Sequence, residues 1–211
     1  MVARQEERAA VILESIVLAS ASPRRLELLR SLGLDVRVEP SGYDEPDDPS
    51  IAPANLAIRH AAAKARDVQA RFPDDLVVAA DTVVDIDGTA LGKPRDRADA
   101  ARMLRALSGR MHAVHTAYAI AFPGRRDLIQ ECSTTRVRFY PLADDEIEQY
   151  VATGEPMDKA GAYGIQGRAA ALVESIDGDF YTVMGFPLAR FVRALRRLGF
   201  ALPAAKNKPN E

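Results

Sequence analysis

The sequence contains four clusters of residues whose types and spacing could do chemistry, and the first lies in the segment SASPRR. Ser20 and Ser22 precede Arg24 and Arg25 at a predicted junction between a strand and a helix. Free backbone N–H groups at a helix start, a hydroxyl group and two guanidinium groups can together bind an anion such as a triphosphate. The alternative is an ordinary serine cap followed by two solvated arginines, because Ser-Pro is common at helix starts.

The second cluster is Asp81 and Thr82, which follow the apolar run LVVAA. This run predicts a short buried strand that ends at Asp81. A carboxylate at the carboxyl end of such a strand lies where α/β sheets usually place their sites, and it could hold Mg²⁺ or orient a water molecule. The alternative is a turn residue at the end of a strand.

The third cluster is the segment LGKP, which places Lys93 between a glycine and a proline. It resembles a P-loop only superficially, because Gly88 and Gly92 are too close in sequence and Pro94 replaces the required Ser or Thr. We therefore reject a P-loop. Lys93 is interpreted either as a fixed phosphate contact or as a plain surface lysine.

The fourth cluster is the glycine-rich segment DKAGAYGIQG at residues 158–167. Its glycines recur every third residue and would let the backbone approach a ligand closely. Gln166 offers both a donor and an acceptor for the edge of a base. The alternative is a plain surface loop, since the segment does not match the dinucleotide fingerprint GxGxxG.

The elements that must position these clusters alternate between strands and helices along the first part of the chain. A hairpin signal at Asp87 and Gly88 and a long hairpin near residue 125 interrupt the alternation, so we predict an α/β fold with a mixed sheet and flanking helices. The predicted strands are 15–19, 76–80, 112–122, 128–139 and 169–176. The predicted helices are 23–32, 54–72, 98–107, 144–152 and 187–198.

Length and composition favour one compact domain over residues 12–203, with flexible termini at 1–11 and 204–211. The chain has 211 residues, of which 47% are hydrophobic, and its formal net charge is −2, so no global basic field would hold nucleic acid. Its single cysteine excludes an intrachain disulfide framework. No apolar run is long enough to cross a membrane, and acidic residues lie where a signal peptide would be apolar. We therefore expect a soluble, cytoplasmic protein.

Together the segments LASASPRRLELLRSLGL, AADTVV, LGKPRDRADAARMLRALSGRMHAVHT and YVATGEPMDKAGAYGIQG resemble the Maf family of nucleotide pyrophosphatases. The resemblance covers about residues 16–198, with the motifs in matching order and spacing. It implies two lobes around a cleft, as in inosine triphosphate pyrophosphatases, and hydrolysis of a nucleoside triphosphate to monophosphate and pyrophosphate. It also implies a divalent metal, Mg²⁺ or Mn²⁺, a homodimer and a link to inhibition of septum formation.

The resemblance assigns roles to individual residues. Asp81 matches the catalytic proton acceptor, and Glu45 matches an acid that binds the metal with it. Arg24, Thr82 and Gln166 match positions that determine substrate specificity. Lys64, Lys93 and Lys159 match phosphate-side positions, and Ser20 and Arg25 of the first cluster complete the expected substrate-binding set.

The DTVV form and the YGIQG motif are similar to the subgroup that acts on dTTP and UTP. The subgroup that acts on 7-methyl-GTP typically has Gln after the aspartate instead of Thr82. The chain departs from the family at Thr182 and Phe186, where Asn and Leu are common, in a segment expected to support the cleft. We expect direct attack by water, because Cys132 and Ser22 lack a plausible histidine partner. Two alternatives stay open: a pyrophosphatase for 7-methyl-GTP or other modified nucleotides, and a nucleotide-binding regulator of septum formation.

Overall fold

The computed structural model describes residues 10–204. Residues 1–9 and 205–211, which make up most of the predicted flexible termini, lie outside the described residues. The strands are β1 (Val11–Ile12), β2 (Ser15–Leu18), β3 (Asp35–Val38), β4 (Val77–Ile86), β5 (Thr89–Leu91), β6 (Met111–Ala121), β7 (Leu128–Phe139), β8 (Val173–Asp177) and β9 (Phe200–Ala201). The helices are α1 (Pro23–Ser31), α2 (Pro53–Arg71), α3 (Arg97–Leu107), α4 (Asp144–Ala152), α5 (Phe180–Met184) and α6 (Leu188–Arg197).

The main sheet is mixed, as the sequence predicted. Its strand order is β3-β2-β4-β6-β7-β8, with β5 paired to β4, while β1 and β9 form a separate two-stranded sheet. Strand β2 runs parallel to β3 and β4, whereas β5 and β6 run antiparallel to β4, and the β6–β7–β8 meander is antiparallel. The predicted turn at Asp87 and Gly88 is confirmed, since both residues have positive φ and connect β4 to β5.

Alternate side chains of β4 point to opposite faces of the sheet, which gives each face its own core. We call them the Asp81 face, with Val77, Ala79 and Val83, and the Thr82 face, with Val78 and Val84. The Asp81 face packs against α2 through small residues, among them Ala57, Ala61, Ala65 and Val68. The Thr82 face packs against a larger core that includes Leu104, Tyr118, Phe139, Phe186 and Phe191.

Among the described strands, the middle of β4 has no partner on one of its two edges. Strand β2 pairs with β4 only at Val77 and Val78, and β5 pairs with it only from Val84 onward. Within the described residues no strand pairs with residues 79–83 along this edge. The chain beyond β2 turns instead into α1, which begins at Pro23 after Ser22, whose hydroxyl accepts from the backbone N–H of Arg25.

Some predicted boundaries are wrong. The strand predicted to end at Asp81 continues to Ile86, because the following DTVVDI alternates between faces and pairs fully with β6. The strand predicted at residues 169–176 begins at Val173, since Gly167–Leu172 forms a 3-10 helix. The short elements β1, β3, β9 and α5 were not predicted, and of β5 only the preceding turn at Asp87 and Gly88 was predicted.

Candidate active site

The pairing gap opens into a cleft of about 850 Å³. Its walls come from the start of α1, the proline-rich loop between β3 and α2 (residues 39–52), the central residues of β4 and the glycine-rich segment at residues 158–167. Every site residue predicted from the sequence lines this cleft. These residues are Ser20, Arg24, Arg25, Glu45, Lys64, Asp81, Thr82, Lys93, Lys159 and Gln166.

On the Asp81 face, one lysine bridges two carboxylates. The Lys64 ammonium, which α2 places beside β4, lies 2.6 Å from Asp81 Oδ1 and 2.6 Å from Glu45 Oε1. The Lys64 and Asp81 side chains are buried, with 9% and 7% of their surface exposed, whereas Glu45 in the loop is 42% exposed. One buried ammonium therefore contacts both carboxylates and offsets one of their two negative charges.

The field of this cluster lowers the pKa of Glu45. Partial burial acts to raise the pKa, but the charge and hydrogen bond of Lys64 outweigh it, with further attraction from Lys93 and Arg25. Glu45 is therefore ionised at neutral pH, and the cleft keeps a carboxylate available for a cation.

On the Thr82 face, the guanidinium group of Arg25 is fixed by three acceptors. Its Nη1 donates to Ser20 Oγ at 3.1 Å, its Nη2 to Thr82 Oγ1 at 3.1 Å, and its Nε to the Gly185 carbonyl at 3.0 Å. Burial lowers the pKa of Arg25, while attraction to Asp81 and Glu45 opposes the decrease. A guanidinium group keeps its charge even so. Arg25 is thus a rigid cation at the wall of the cleft.

The rim of the cleft carries further cations. Arg24 lies 3.7 Å from Asp158, and Lys93 is exposed. The Lys159 ammonium donates to the Glu155 carbonyl and to Asp158 Oδ1, both at 2.6 Å. Because both acceptors belong to its own segment, Lys159 stabilises the loop. Arg24 and Lys93 line the cleft, Arg24 with one long ion pair to Asp158 and Lys93 with an exposed side chain.

Gly161 lets the glycine-rich segment approach β4. Its φ is +66°, and a Cβ at this position would lie 2.9 Å from both terminal carbons of Val84. Its N–H donates to the Gly92 carbonyl at 2.9 Å, which joins the segment to the residue before Lys93. This packing sets the segment, and with it Gln166, along the cleft.

Comparison with known proteins places the chain among relatives. The family model described as "Maf-like protein" matches residues 15–198. The chain belongs to the Maf family. It is 50% identical over 190 residues to the dTTP/UTP pyrophosphatase of Symbiobacterium thermophilum, covering 90% of this chain and 97% of the relative. It is 53% identical over 184 residues to the dTTP/UTP pyrophosphatase of Geobacter sulfurreducens, covering 87% and 96%.

One solved structure, titled "The structure of the Staphylococcus aureus Ham1 protein", is also similar to this Maf-family chain. The TM-score is 0.39 at 14% sequence identity, and the match covers 62% of this chain and 73% of that one.

The acidic pair of this Maf-family protein fits a divalent cation bound together with substrate. No group of three or more His, Cys, Asp or Glu side chains that could hold a metal occurs among residues 10–204. Two carboxylates suffice for Mg²⁺, which usually takes its other ligands from water and substrate phosphates. Asp81 and Glu45 are the residues that would hold such an ion, and in the structure both contact the Lys64 ammonium.

The sequence analysis missed cleft residues that lack an obvious chemical signature. The Tyr43 hydroxyl and His60 Nδ1, 3.2 Å apart, join the proline-rich loop to α2 beside Lys64. The four-residue spacing of His60 and Lys64 on a predicted helix could have indicated a shared face. Thr116, which is fully buried behind the cleft wall and pairs with Thr82 across β4 and β6, had no comparable signal, because a threonine within a strand is common.

None of the helices described between residues 10 and 204 is both long enough and apolar enough to cross a membrane.

Proposed function

We propose that this protein hydrolyses dTTP and UTP to the nucleoside monophosphate and pyrophosphate. The main support is the convergence of Asp81, Lys64, Glu45 and Arg25 at the centre of β4, beside the cleft, where one edge of that strand has no partner among the described strands. The names of the relatives, dTTP/UTP pyrophosphatases at 50% and 53% identity over nearly their whole length, support the same substrates.

Asp81 is proposed as the general base. A water molecule attacks the α-phosphorus and passes a proton to the Asp81 carboxylate, while the bond to the bridging oxygen breaks and pyrophosphate leaves. Asp81 is buried, with 5% of its surface exposed. It nevertheless lines the cleft beside the unpaired edge of β4, so substrate can reach its carboxylate. General-base catalysis of this kind contributes roughly 10²–10⁴-fold.

Cations of the cleft neutralise the triphosphate. Arg25 has five N–H groups and commits three of them to Ser20, Thr82 and Gly185, which leaves two for an anion. Lys93 and Arg24 supply further positive charge from the rim. Lys64 is the cation nearest to the proposed base, and it can turn from the carboxylates toward a phosphate oxygen.

Glu45 and Asp81 are proposed to hold Mg²⁺ or Mn²⁺. Such an ion, when bound with substrate, would neutralise phosphate charge and lower the pKa of a ligated water. The two carboxylates and their shared cationic contact support this assignment.

Gln166 is proposed to recognise the base. Uracil and thymine present an acceptor, donor, acceptor edge, and a side-chain amide can meet two adjacent members of that pattern. Cytosine reverses the groups at positions 3 and 4, so CTP would leave buried polar groups unpaired at roughly 1–3 kcal/mol each. The exposed position of Gln166 on the cleft wall allows this contact.

We also propose one catalytic domain over residues 12–203, a homodimer and a cytoplasmic location. One continuous mixed sheet and the helices on its two faces support the single domain. Light scattering on the purified chain tests the homodimer, which a monomeric mass would contradict.

A nucleotide panel tests the proposed activity. Pyrophosphate release is measured from dTTP, UTP, CTP, GTP and 7-methyl-GTP with Mg²⁺ and with Mn²⁺, and Asp81→Asn serves as the control for contaminating activity. We expect kcat/KM for dTTP and UTP to exceed that for CTP and GTP by at least about tenfold.

The other outcomes separate the alternatives. A preference for 7-methyl-GTP would contradict the proposed base while keeping the reaction. Binding of nucleotide without any turnover would indicate a sensor and contradict the enzyme. In ¹⁸O-labelled water, label in the monophosphate supports attack at the α-phosphorus, and label in pyrophosphate contradicts it.

A further inference from the structure

A chain of hydroxyl groups lies beneath the cleft on the Thr82 face. Thr82 Oγ1 and Thr116 Oγ1 are 3.0 Å apart, and Thr116 Oγ1 lies 2.7 Å from the carbonyl oxygen of Thr182. Thr116 and Thr182 are fully buried. The chain therefore runs from Arg25 at the cleft wall, through β4 and β6, to α5.

The directions of these hydrogen bonds are fixed by chemistry. A carbonyl oxygen only accepts, so the Thr116 hydroxyl must donate to Thr182 O. Thr116 then has no proton left for Thr82, so the Thr82 hydroxyl must donate to Thr116. One of the two lone pairs of Thr82 accepts from Arg25, which can only donate.

The same short segment of the chain holds both ends of this arrangement. Thr182 and Gly185 both lie at α5, and their carbonyl groups accept from Thr116 and Arg25 respectively. Gly185 has a φ of +110°, and a Cβ there would lie 3.4 Å from Thr82 Oγ1 and 3.7 Å from Arg25 Nε. The absence of a side chain at Gly185 thus leaves room for Arg25 to donate both to the Gly185 carbonyl and to Thr82 Oγ1.

We propose that Thr116 is a positioning residue that orients the Thr82 hydroxyl to accept from Arg25 and so holds the guanidinium group at the phosphate side of the cleft. Thr82, in turn, acts through Arg25, and it can donate no hydrogen bond to a base because its only proton is committed to Thr116. This inference rests on the proposed function for the role of Arg25, but the geometry of the hydroxyl chain is independent of it.

The first test uses substitutions of Thr116 that keep its shape or its hydroxyl. Thr116→Val should weaken dTTP binding, measured by calorimetry without divalent metal, by about tenfold, since one charge-assisted hydrogen bond contributes that much. Thr116→Ser should restore binding. Thr134→Val, on the neighbouring strand β7, loses a hydroxyl that contacts His115 and should bind dTTP like the wild type.

The second test asks whether Thr116 acts through Arg25. In an Arg25→Ala background, Thr116→Val should change the dTTP dissociation constant by less than about twofold, because the group that it positions is gone. The full loss in that background would overturn the proposal, and so would unchanged dTTP binding by a folded Thr116→Val protein.

Two further measurements keep the proposal testable if Thr116→Val is unstable or the proposed activity is wrong. Thr82→Val should weaken dTTP and CTP binding by the same factor, and a changed dTTP-to-CTP ratio would show that Thr82 recognises the base. Without nucleotide, the Arg25 Nε–H signal in NMR should exchange with water faster in Thr82→Val and Thr116→Val than in wild type. Equal exchange rates would contradict the proposal, whereas failure of the proposed function would appear in the wild-type nucleotide panel.

Discussion

Asp81 and Thr82 are neighbours in β4, yet the regions around them differ in kind. On the Asp81 face, Lys64 lies between the carboxylates of Asp81 and Glu45. On the Thr82 face, the guanidinium group of Arg25 has hydroxyl and carbonyl oxygens as its acceptors. Both regions meet at the unpaired edge of the strand.

This difference indicates a division of labour within the proposed mechanism. Glu45 lies in a loop and is 42% exposed, so its ion pair with Lys64 can open and Lys64 could then contact a phosphate oxygen instead. Hydrogen bonds with fixed directions keep a group in place, so Arg25 can serve as a preorganised anion contact. We expect substitutions on the Asp81 face to act on turnover and metal binding, and those on the Thr82 face to act on substrate binding.

The largest effect is expected for Asp81→Asn. It should lower kcat by at least roughly 10²–10⁴-fold, since the base is lost and metal binding is weakened. Circular dichroism and thermal unfolding should show an intact fold, because Asn keeps the shape of the side chain. Near-normal turnover by the folded variant would exclude Asp81 as the base.

Lys64→Met tests whether the ammonium competes with a metal ion. Two carboxylates would then face each other without a buried cation, so the free energy of unfolding without metal should fall by about 3 kcal/mol. Mn²⁺ affinity, measured by electron paramagnetic resonance, should rise by at least about tenfold because the competing charge is gone. Arg66→Met, an exposed change on the same helix, is the matched control. Unchanged or weaker Mn²⁺ binding would contradict competition between the Lys64 ammonium and a metal ion for the two carboxylates.

Arg24→Ala should have a smaller effect than either change. Its ion pair with Asp158 is 3.7 Å long, so the guanidinium group can swing to a phosphate. We expect KM for dTTP to rise by about tenfold, which corresponds to the loss of one charge-assisted hydrogen bond. If KM and base preference both stay at the wild-type values, Arg24 is a solvated helix residue.

The smallest effect concerns His112 on the Thr82 face. Burial lowers its pKa to about 4 from an ordinary 6.5, beside the Tyr163 hydroxyl at 2.7 Å. Below about pH 6.5, His112 is protonated in the unfolded chain but stays neutral in the folded protein. The free energy of unfolding therefore falls toward pH 4 by up to about 1.4 kcal/mol per pH unit.

Thermal unfolding of wild type and His112→Phe checks this pH dependence. The stability difference between the two proteins should shift against wild type by about 1 kcal/mol between about pH 6.5 and about pH 5.5. A difference that is constant with pH would show that His112 does not titrate in this way.

The sequence was most informative where short-range patterns decide the structure. The serine cap and proline of α1, the Asp-Gly turn and the long hairpin were predictable from local rules, and the mixed sheet follows from their order. The motifs also identified residues that share one cleft, although nothing in their spacing shows which face of β4 each one occupies.

Long-range pairing decided what the sequence analysis missed. Asp81 was predicted to end a strand because the apolar run ends there, whereas in the structure it is the neighbour β2 that stops at Leu18. The cleft therefore opens beside the middle of β4 and not beyond the end of a strand. The hydroxyl chain beneath it joins Thr82, Thr116 and Thr182, whose contacts depend on the packing of α5 against β6.

The most direct test of the two-face account compares Asp81→Asn with Thr116→Val in one experiment. Each variant is titrated with dTTP in the presence of a chelator, and Mg²⁺ is then added at saturating dTTP to start a single turnover. We predict that Asp81→Asn binds dTTP at least as tightly as wild type but reacts at least about 10²-fold more slowly, while Thr116→Val binds about tenfold more weakly and reacts at nearly the wild-type rate. Loss of the same parameter in both variants would contradict the division of labour between the two faces.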